Sequence, residues 1–415
     1  MRTSTAPRTA VRRLAAARLI SVTGGAAAFA ALNYTIYDQT RSATWLSASL
    51  LLTFGISGLF APLGGVLGDR FDRRRVMVAS DLAGAACFGA MALSQDPVWL
   101  IAVGFAAAVV ETPFWSASAA AIPNLVGEDD LAWANGLVQV GANAGIMLGP
   151  AVGGVLLAVM GADLVFAANA LSFVLSAVLV MTIRGRFSVD RREGEDEHRG
   201  LRAGFVFIAR DRVLRILVLG WFVFVLGLGM VMVADVPLAE SFGTGSTGYG
   251  LIIGAFGAGS IVGSLAGRRL TERTEATALF GGAAVIGVTT AGVALSPWWV
   301  PVLVLVFVGG AADGLTMVAD RNIQQRRTPD AVRSRVVSAS EAVITLALAA
   351  GFVLGGPALR ALGPKGVYAV GGLLGMVGAA VLVPLVREAR RRPVSEASAR
   401  DGDETESQRE LVGAG

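Results

Sequence analysis

GGVLGDRFDRRRVM, residues 64–77, brings a long apolar segment to a stop in a charged loop. Asp69, Arg70, Arg73, Arg74 and Arg75 crowd together there, just after Gly64, Gly65 and Gly68, which let one helix end lie close to a neighbouring backbone. Each arginine would cost roughly 2.5 to 3.5 kcal/mol at the centre of a bilayer, so this cluster stays at the membrane surface. The excess of positive charge assigns the loop to the cytoplasmic side.

The rest of the composition agrees with a chain that lives in lipid. Of 415 residues, 54% are hydrophobic, 16% are charged and 53 are glycine. Mean hydropathy is +0.63. These values describe a polytopic helical membrane protein. The isoelectric point of about 9.8 does not point to nucleic acid, because the basic residues sit in short segments between apolar runs and in the tails. Cys87, His198 and Lys365 are the only residues of their types. An internal disulfide and a Cys/His metal cluster are thereby excluded, and neither metal nor cofactor is expected. No cleavable signal peptide is evident, since Arg2 to Arg18 flank an apolar run too long for an h-region.

Twelve apolar stretches are long enough to span about 30 Å. They fall near residues 15–37, 44–68, 76–94, 98–122, 137–160 and 163–183, then 212–236, 246–267, 276–296, 298–319, 337–359 and 366–386. Both termini then face the cytoplasm. Of 35 lysines and arginines, only Arg41, Arg360 and Lys365 face outward, the asymmetry of a multi-pass protein of the cytoplasmic membrane. Residues 1–183 form an N-terminal six-helix bundle, 184–211 a charged cytoplasmic linker that is helical near its end, 212–390 a C-terminal six-helix bundle, and 391–415 a disordered tail. FAAAVVE, residues 105–111, aligns with FVGGAAD, residues 307–313, while Gly64 and Gly68 match Gly263 and Gly267, and Pro150 matches Pro357. In the second copy Arg268 stands where Asp69 stands in the first, so the two inner gates are not equivalent. Two pseudo-symmetric halves suit a transporter whose site forms between them near the membrane midplane.

The loop form G-x-L-x-D-R-x-x-R-R-R resembles the signature between the second and third helices of the major facilitator superfamily, departing from it at Asp72, where that pattern usually has glycine. The turn is expected to be less tight there. Gly145, Gly149, Pro150, Gly153 and Gly154 match the G-x-x-x-G-P-x-x-G-G signature of its drug:proton antiporters. Glycines one turn apart make a close-packed seam, and the proline removes a helix hydrogen bond; a generic small-residue interface is the competing reading. The fourth span lacks the arginine of many drug antiporters and has Glu111, Thr112 and Pro113 instead. That departure, with AIPNLVGEDDLAWANG at residues 121–136, is similar to the branch of macrolide-efflux and enterobactin-exporting proteins. The resemblance implies an all-α major facilitator fold, alternating access, and a pocket lined by spans 1, 4, 7 and 10.

Within the spans, ionisable groups mark candidate working residues. Glu111, with Trp115 and Ser118 at helical spacing, and its repeat partner Asp313, with Met317 and Asp320, are the proton-coupling candidates. Either acid could instead bond across a helix seam without titrating during transport. Asn33, Tyr37, Trp115, Trp221 and Met317 are the substrate-cavity candidates, with interfacial anchoring or packing as the alternative. Asp38 and Asp235 are expected to be solvated acids at helix ends. Lys365 is followed by glycine in an outward loop, which excludes a phosphate-binding loop of the GxxxxGK[ST] kind. The expectation is a non-enzymatic, proton-coupled exporter of small amphipathic molecules of drug or macrolide type. It would work as a monomer, with protons, substrate and membrane lipid as partners. Export of a siderophore or another self-made metabolite is the first alternative, and a non-transporting membrane sensor is the second.

Overall fold

The computed structural model describes residues 5–56, 60, 67, 70–126, 130–183, 187, 200–328 and 330–391. These residues are helical throughout their ordered elements. The first half consists of α1 (Thr5–Thr40), α2 (Ala43–Leu50, continued by a π-helical turn at Leu51–Ile56), α3 (Arg73–Met91), α4 (Pro97–Leu125), α5 (Leu131–Met160) and α6 (Ala162–Thr182). A short α7 (Gly200–Arg210) leads into α8 (Arg212–Ser241), α9 (Gly245–Gly267), α10 (Glu272–Ala294), α11 (Trp299–Arg327) and α12 (Asp330–Arg391). Gly363, at φ 68°, breaks α12 into two arms, in line with the expected gap between the last two spans. Among the described residues, eight helices are long and apolar enough to cross a membrane. The last such segment, Val336–Arg387, has 52 residues and so crosses twice.

Local chemistry sets the helix ends. Asp72 caps α3 by accepting from the Arg75 amide at 3.1 Å. Asp96 caps α4 through the Trp99 amide at 2.9 Å, with Pro97 in the first turn. Asp211 does the same for α8 at 2.9 Å, and Thr271 with Thr274 forms a capping box on α10. Such a cap is worth about 1 kcal/mol. Asp72, the departure from the glycine of the loop signature, therefore has a structural role of its own. Several helices outrun the apolar stretches, because a helix continues in its polar residues after it leaves hydrocarbon: α11 runs to Arg327 and α1 starts at Thr5.

Packing repeats across the two halves. α1 packs on α5 and α6, and α3 on α4 and α6, while α8 packs on α12, and α10 on α11 and α12. The halves meet mainly through α5 with α9 and through α2 with α12. Each bundle has a basic face, where α1 begins and α3, α10 and the second halves of the repeats connect, and an opposite face bearing Arg41, Arg360 and Lys365.

At the basic face each half carries a brace. Arg73, only 7% exposed, donates to the carbonyls of Ala120 at 2.8 Å and Phe187 at 3.3 Å, and Arg74 lies over the Phe187 ring. In the second half Glu275, 2% exposed, pairs with Arg326 and accepts from Asn322 at 2.8 Å. Arg70, exposed, stacks near Phe71. Gly65 and Asp69 of the same loop motif lie outside the described residues, as do Gly64, Gly68 and His198.

Candidate functional site: a cavity between the halves

The halves are sealed together at the opposite face. Ala43, Leu46 and Leu50 from the first half pack into one core with Val233, Leu238, Tyr249 and Phe352 from the second. Around this plug the Tyr34 hydroxyl donates to Glu240 at 2.5 Å, and Arg41 donates to the other Glu240 oxygen at 3.0 Å. Arg41 also pairs with Asp38, and Arg360 reaches Thr44.

Three of the four motif glycines of α5 permit the close approach of α1. A Cβ at Gly145 would lie 2.9 Å from the Thr23 amide nitrogen, at Gly149 2.5 Å from the Thr23 carbonyl oxygen, and at Gly153 2.6 Å from the Ala27 Cα. Gly154 faces the other way, where a Cβ would be 2.8 Å from the Ser246 carbonyl oxygen on α9. The motif is thus a two-sided seam: three glycines join α5 to its own half and the fourth joins it to the other. Pro150 lies within the continuous α5.

Next to the plug lies a cavity of about 680 Å³ shared by both halves. Its walls are largely apolar, with Phe29, Phe54, Phe88, Trp115, Phe224 and Met232 among them, and two carboxylates reach it, Glu111 from α4 and Asp235 from α8. Asp81 of α3 stands near enough to Glu111 for their charges to interact. Asp235 is 9% exposed and accepts from the Tyr368 hydroxyl at 2.6 Å. Asp235 is therefore not the solvated end-of-helix acid its sequence position suggests. α8 extends to Ser241, which sets Asp235 below the helix end, between α12 and the cavity.

The candidates from the sequence separate in space. Glu111 and Trp115 line the cavity, one turn apart on α4. Ser118, fully buried, lies a further turn behind them. Asp313 is not among the lining residues; its partner is Ser260 of α9, across a seam so tight that a Cβ at Gly314 would lie 1.9 Å from the Ser260 carbonyl oxygen. Asn33 is 1% exposed and staples α1 to α2, donating to the Phe29 carbonyl at 2.9 Å and accepting from Ser49 at 3.1 Å. Tyr37 packs against the plug, beside Arg41. Trp221 sits in the core of the second half, edge-on to Phe224 at 5.3 Å between ring centres. Met317 is exposed and outside the cavity lining.

Sequence reasoning missed Arg18. It looks like the last member of a basic membrane flank, yet it is 6% exposed. Its Nε and Nη2 donate to the Ser118 hydroxyl at 3.0 and 2.7 Å, and its guanidinium carbon lies 4.1 Å from the Trp115 ring centre. The spacing of Arg18 from Arg13 was the available signal, since five residues carry the chain more than one helical turn deeper.

Two six-helix halves around a shared apolar cavity define a membrane transporter of the major facilitator fold. The chain belongs to the transmembrane secretion effector family of that superfamily, matched over residues 8–402. It is 24% identical to macrolide efflux protein A of Streptococcus pyogenes over 385 residues, covering 87% of this chain and 92% of that one. With the enterobactin exporter EntS of Salmonella typhimurium it shares 25% over 407 residues, 94% and 96% of the two chains. Among solved structures, nucleoside transporter NupG superposes with a TM-score of 0.74 at 13% identity, covering 92% of this chain and all of that one (100%). An inward-facing bacterial homologue of the iron transporter ferroportin gives 0.69 at 17%, covering 92% and 99%.

Proposed function

We propose that this protein is a proton-coupled exporter of small amphipathic molecules, working by alternating access in the cell membrane with both termini in the cytoplasm. The observation that carries the reading is Glu111 on the wall of an apolar cavity between two halves. A cavity of about 680 Å³ suits a drug-sized ligand. The crowding of arginines at the basic face supports a cytoplasmic orientation for that face. On this orientation the plug closes the outer side, and the cavity belongs to a state that receives substrate from the cytoplasm.

Coupling follows from charge. A carboxylate charged while its cavity is open to water, and neutralised by a proton before the halves close over it, ties proton movement to the conformational change. Glu111 serves the first half in this role. In the second half the reading favours Asp235 over Asp313, because Asp235 reaches the cavity while Asp313 faces a helix seam. One charge crossing 100 mV supplies about 2.3 kcal/mol, enough for roughly a fifty-fold substrate gradient. The macrolide relative supports drug export; the enterobactin-exporting relative, matched over 94% of this chain, favours a siderophore or similar self-made product as the second reading.

The test is proton flux in energised inside-out vesicles, read by a pH-quenched dye, against macrolides, cationic dyes and siderophores. Substrate-dependent dequenching is expected, and the responding compound selects the substrate class. Glu111→Gln should abolish gradient-driven efflux while ligand binding remains. Full efflux by that variant removes Glu111 from the mechanism, and silence of the inserted wild type across the panel overturns proton-coupled export of these compounds.

A further inference from the structure

A buried guanidinium needs a counter-charge, and Arg18 has none among the described residues. Its hydrogen bonds run from Nε and Nη2 to one neutral oxygen, that of Ser118. No carboxylate pairs with it: the ion pairs among the described residues join Arg8 to Asp130, Arg41 to Asp38 and Glu240, and Arg326 to Glu275. An arginine carries five N–H donors in a planar fork, and one hydroxyl leaves most of that capacity unused. Burying a cation without an anion is costly. Yet this one is only 6% exposed and is stacked on the ring of Trp115, which is itself a 40% exposed part of the cavity wall. Arg18 and Ser118 lie directly behind this wall rather than in its lining, and one turn beyond Arg18 on α1, Ser21 and Val22 line the cavity; unlike Asp313, which bonds across a seam, Arg18 touches the cavity wall through Trp115.

From this arrangement we infer that Arg18 is the anion-binding end of the substrate pocket, and that the ligand is an amphipathic molecule bearing a carboxylate. The inference deepens the exporter reading and rests on the cavity being its substrate pocket. A carboxylate presents two oxygens in the plane of the guanidinium fork, which gives paired, charge-assisted hydrogen bonds in place of the bifurcated contact to Ser118. The apolar body of the ligand then lies on Trp115, Phe114 and the facing wall that Phe224 and Met232 supply. Trp115 works on both sides: one part of its environment holds the guanidinium in place through cation–π attraction, and its exposed part meets the ligand. Two different groups on α4 divide the labour, with the anion of the ligand at the Ser118 end and Glu111 two turns away.

The experiment is an equilibrium binding measurement in nanodiscs, with no energising gradient. Dansylaminoundecanoic acid is titrated against its neutral methyl ester, and the signal of empty nanodiscs is subtracted. Wild-type protein is expected to bind the acid at least about tenfold more tightly than the ester, a difference of about 1.4 kcal/mol. Arg18→Gln should reduce that preference, the ratio of the two Kd values, to about twofold or less, and a retained thermal midpoint shows that the variant is folded. Ser118→Ala removes the competing hydroxyl and should keep the preference or increase it. Equal binding of acid and ester by the wild type, or an undiminished preference in Arg18→Gln, overturns the assignment. If Arg18→Gln loses its fold, Arg18→Met, which keeps an apolar stem against Trp115 without the charge, takes its place under the same criterion: an undiminished preference overturns the assignment and a lost one supports it. Because no transport is measured, a preference that persists in a protein showing no proton-driven efflux would sink the coupled-exporter reading while leaving the anion site intact.

Discussion

Replacing Glu240 with alanine should unlatch the sealed face. Glu240 holds two groups from the first half, the Tyr34 hydroxyl at 2.5 Å and Arg41 at 3.0 Å. The Arg41 pair is partly solvated, with side chains 56% and 23% exposed, so it contributes about 0.2 to 1 kcal/mol. A hydrogen bond to a charged acceptor is worth about 1.5 to 3 kcal/mol, and the partial exposure of Glu240 puts this one at the lower end. The loss is therefore about 2 kcal/mol from the state closed at this face, with no comparable loss from a state in which the halves have parted there. That shifts the balance about thirtyfold. A form open at this face and populated at about 1% would rise to about a quarter of the molecules. Leu93 and Leu295, 85% and 86% exposed, report on the two halves at this face without disturbing the core. With Cys87 changed to serine, spin labels at Leu93→Cys and Leu295→Cys would measure their separation by pulsed electron resonance. The Glu240→Ala distribution should gain a longer component that the parent lacks. An unchanged distribution refutes the latch, whatever happens to transport.

Other consequences can be checked in the same protein. Gly149→Leu places a side chain where even a Cβ would be 2.5 Å from the Thr23 carbonyl oxygen; overpacking of about 1 to 3 kcal/mol should lower the thermal midpoint, whereas Gly161→Ala is strained only by its φ of 80° and leaves the seam alone. Arg326→Ala strands the buried Glu275 beside Asn322 and should destabilise by about 3 kcal/mol or more; Glu275→Gln leaves only the 42% exposed Arg326 unpaired and should cost less, and the reverse order of midpoints would refute the brace. Asp72→Ala removes the cap of α3 and should cost about 1 kcal/mol, recovered by Asp72→Asn, as followed by thermal unfolding in detergent.

The all-helical, multi-pass character was legible because it depends on features that survive in one dimension. Apolar length sets a span, and clusters such as Arg73 to Arg75 mark where it must stop. The seam glycines 145, 149 and 153 were legible too, since a four-residue spacing puts them on one face. The cavity was legible only in part. Glu111 and Trp115 stand out by polarity or size from an otherwise apolar α4 and do meet in its wall. Trp221 and Met317 carry no mark that separates a cavity face from a helix seam or from lipid, because all three environments are apolar. Asp313 and Asp235 exchange places for the same reason: helix rotation and tilt, which decide what each faces, are set by packing against neighbours. Arg18 was hidden by its company: it closes the basic flank of a helix that runs from Thr5 to Thr40, and only its five-residue step beyond Arg13 sets it apart.

The braces at the basic face bear on how the chain assembles. Arg73 and Glu275 are separated by the same interval as Phe105 and Phe307, and so are Asn124 and Arg326: the two halves place opposite charges at one matching position and a neutral amide opposite a cation at the other. A nascent α3 that docked on α11 would set Arg73 against Arg326, and like charges brought together in a contact cost several kcal/mol. An α10 docked on α4 would leave the Glu275 carboxylate with the neutral Asn124 amide where its own half supplies Arg326, next to the Ala120 carbonyl. The braces are thus not interchangeable between the halves: each charged group is matched to its own partners, and swapping the helices that carry them costs free energy at both.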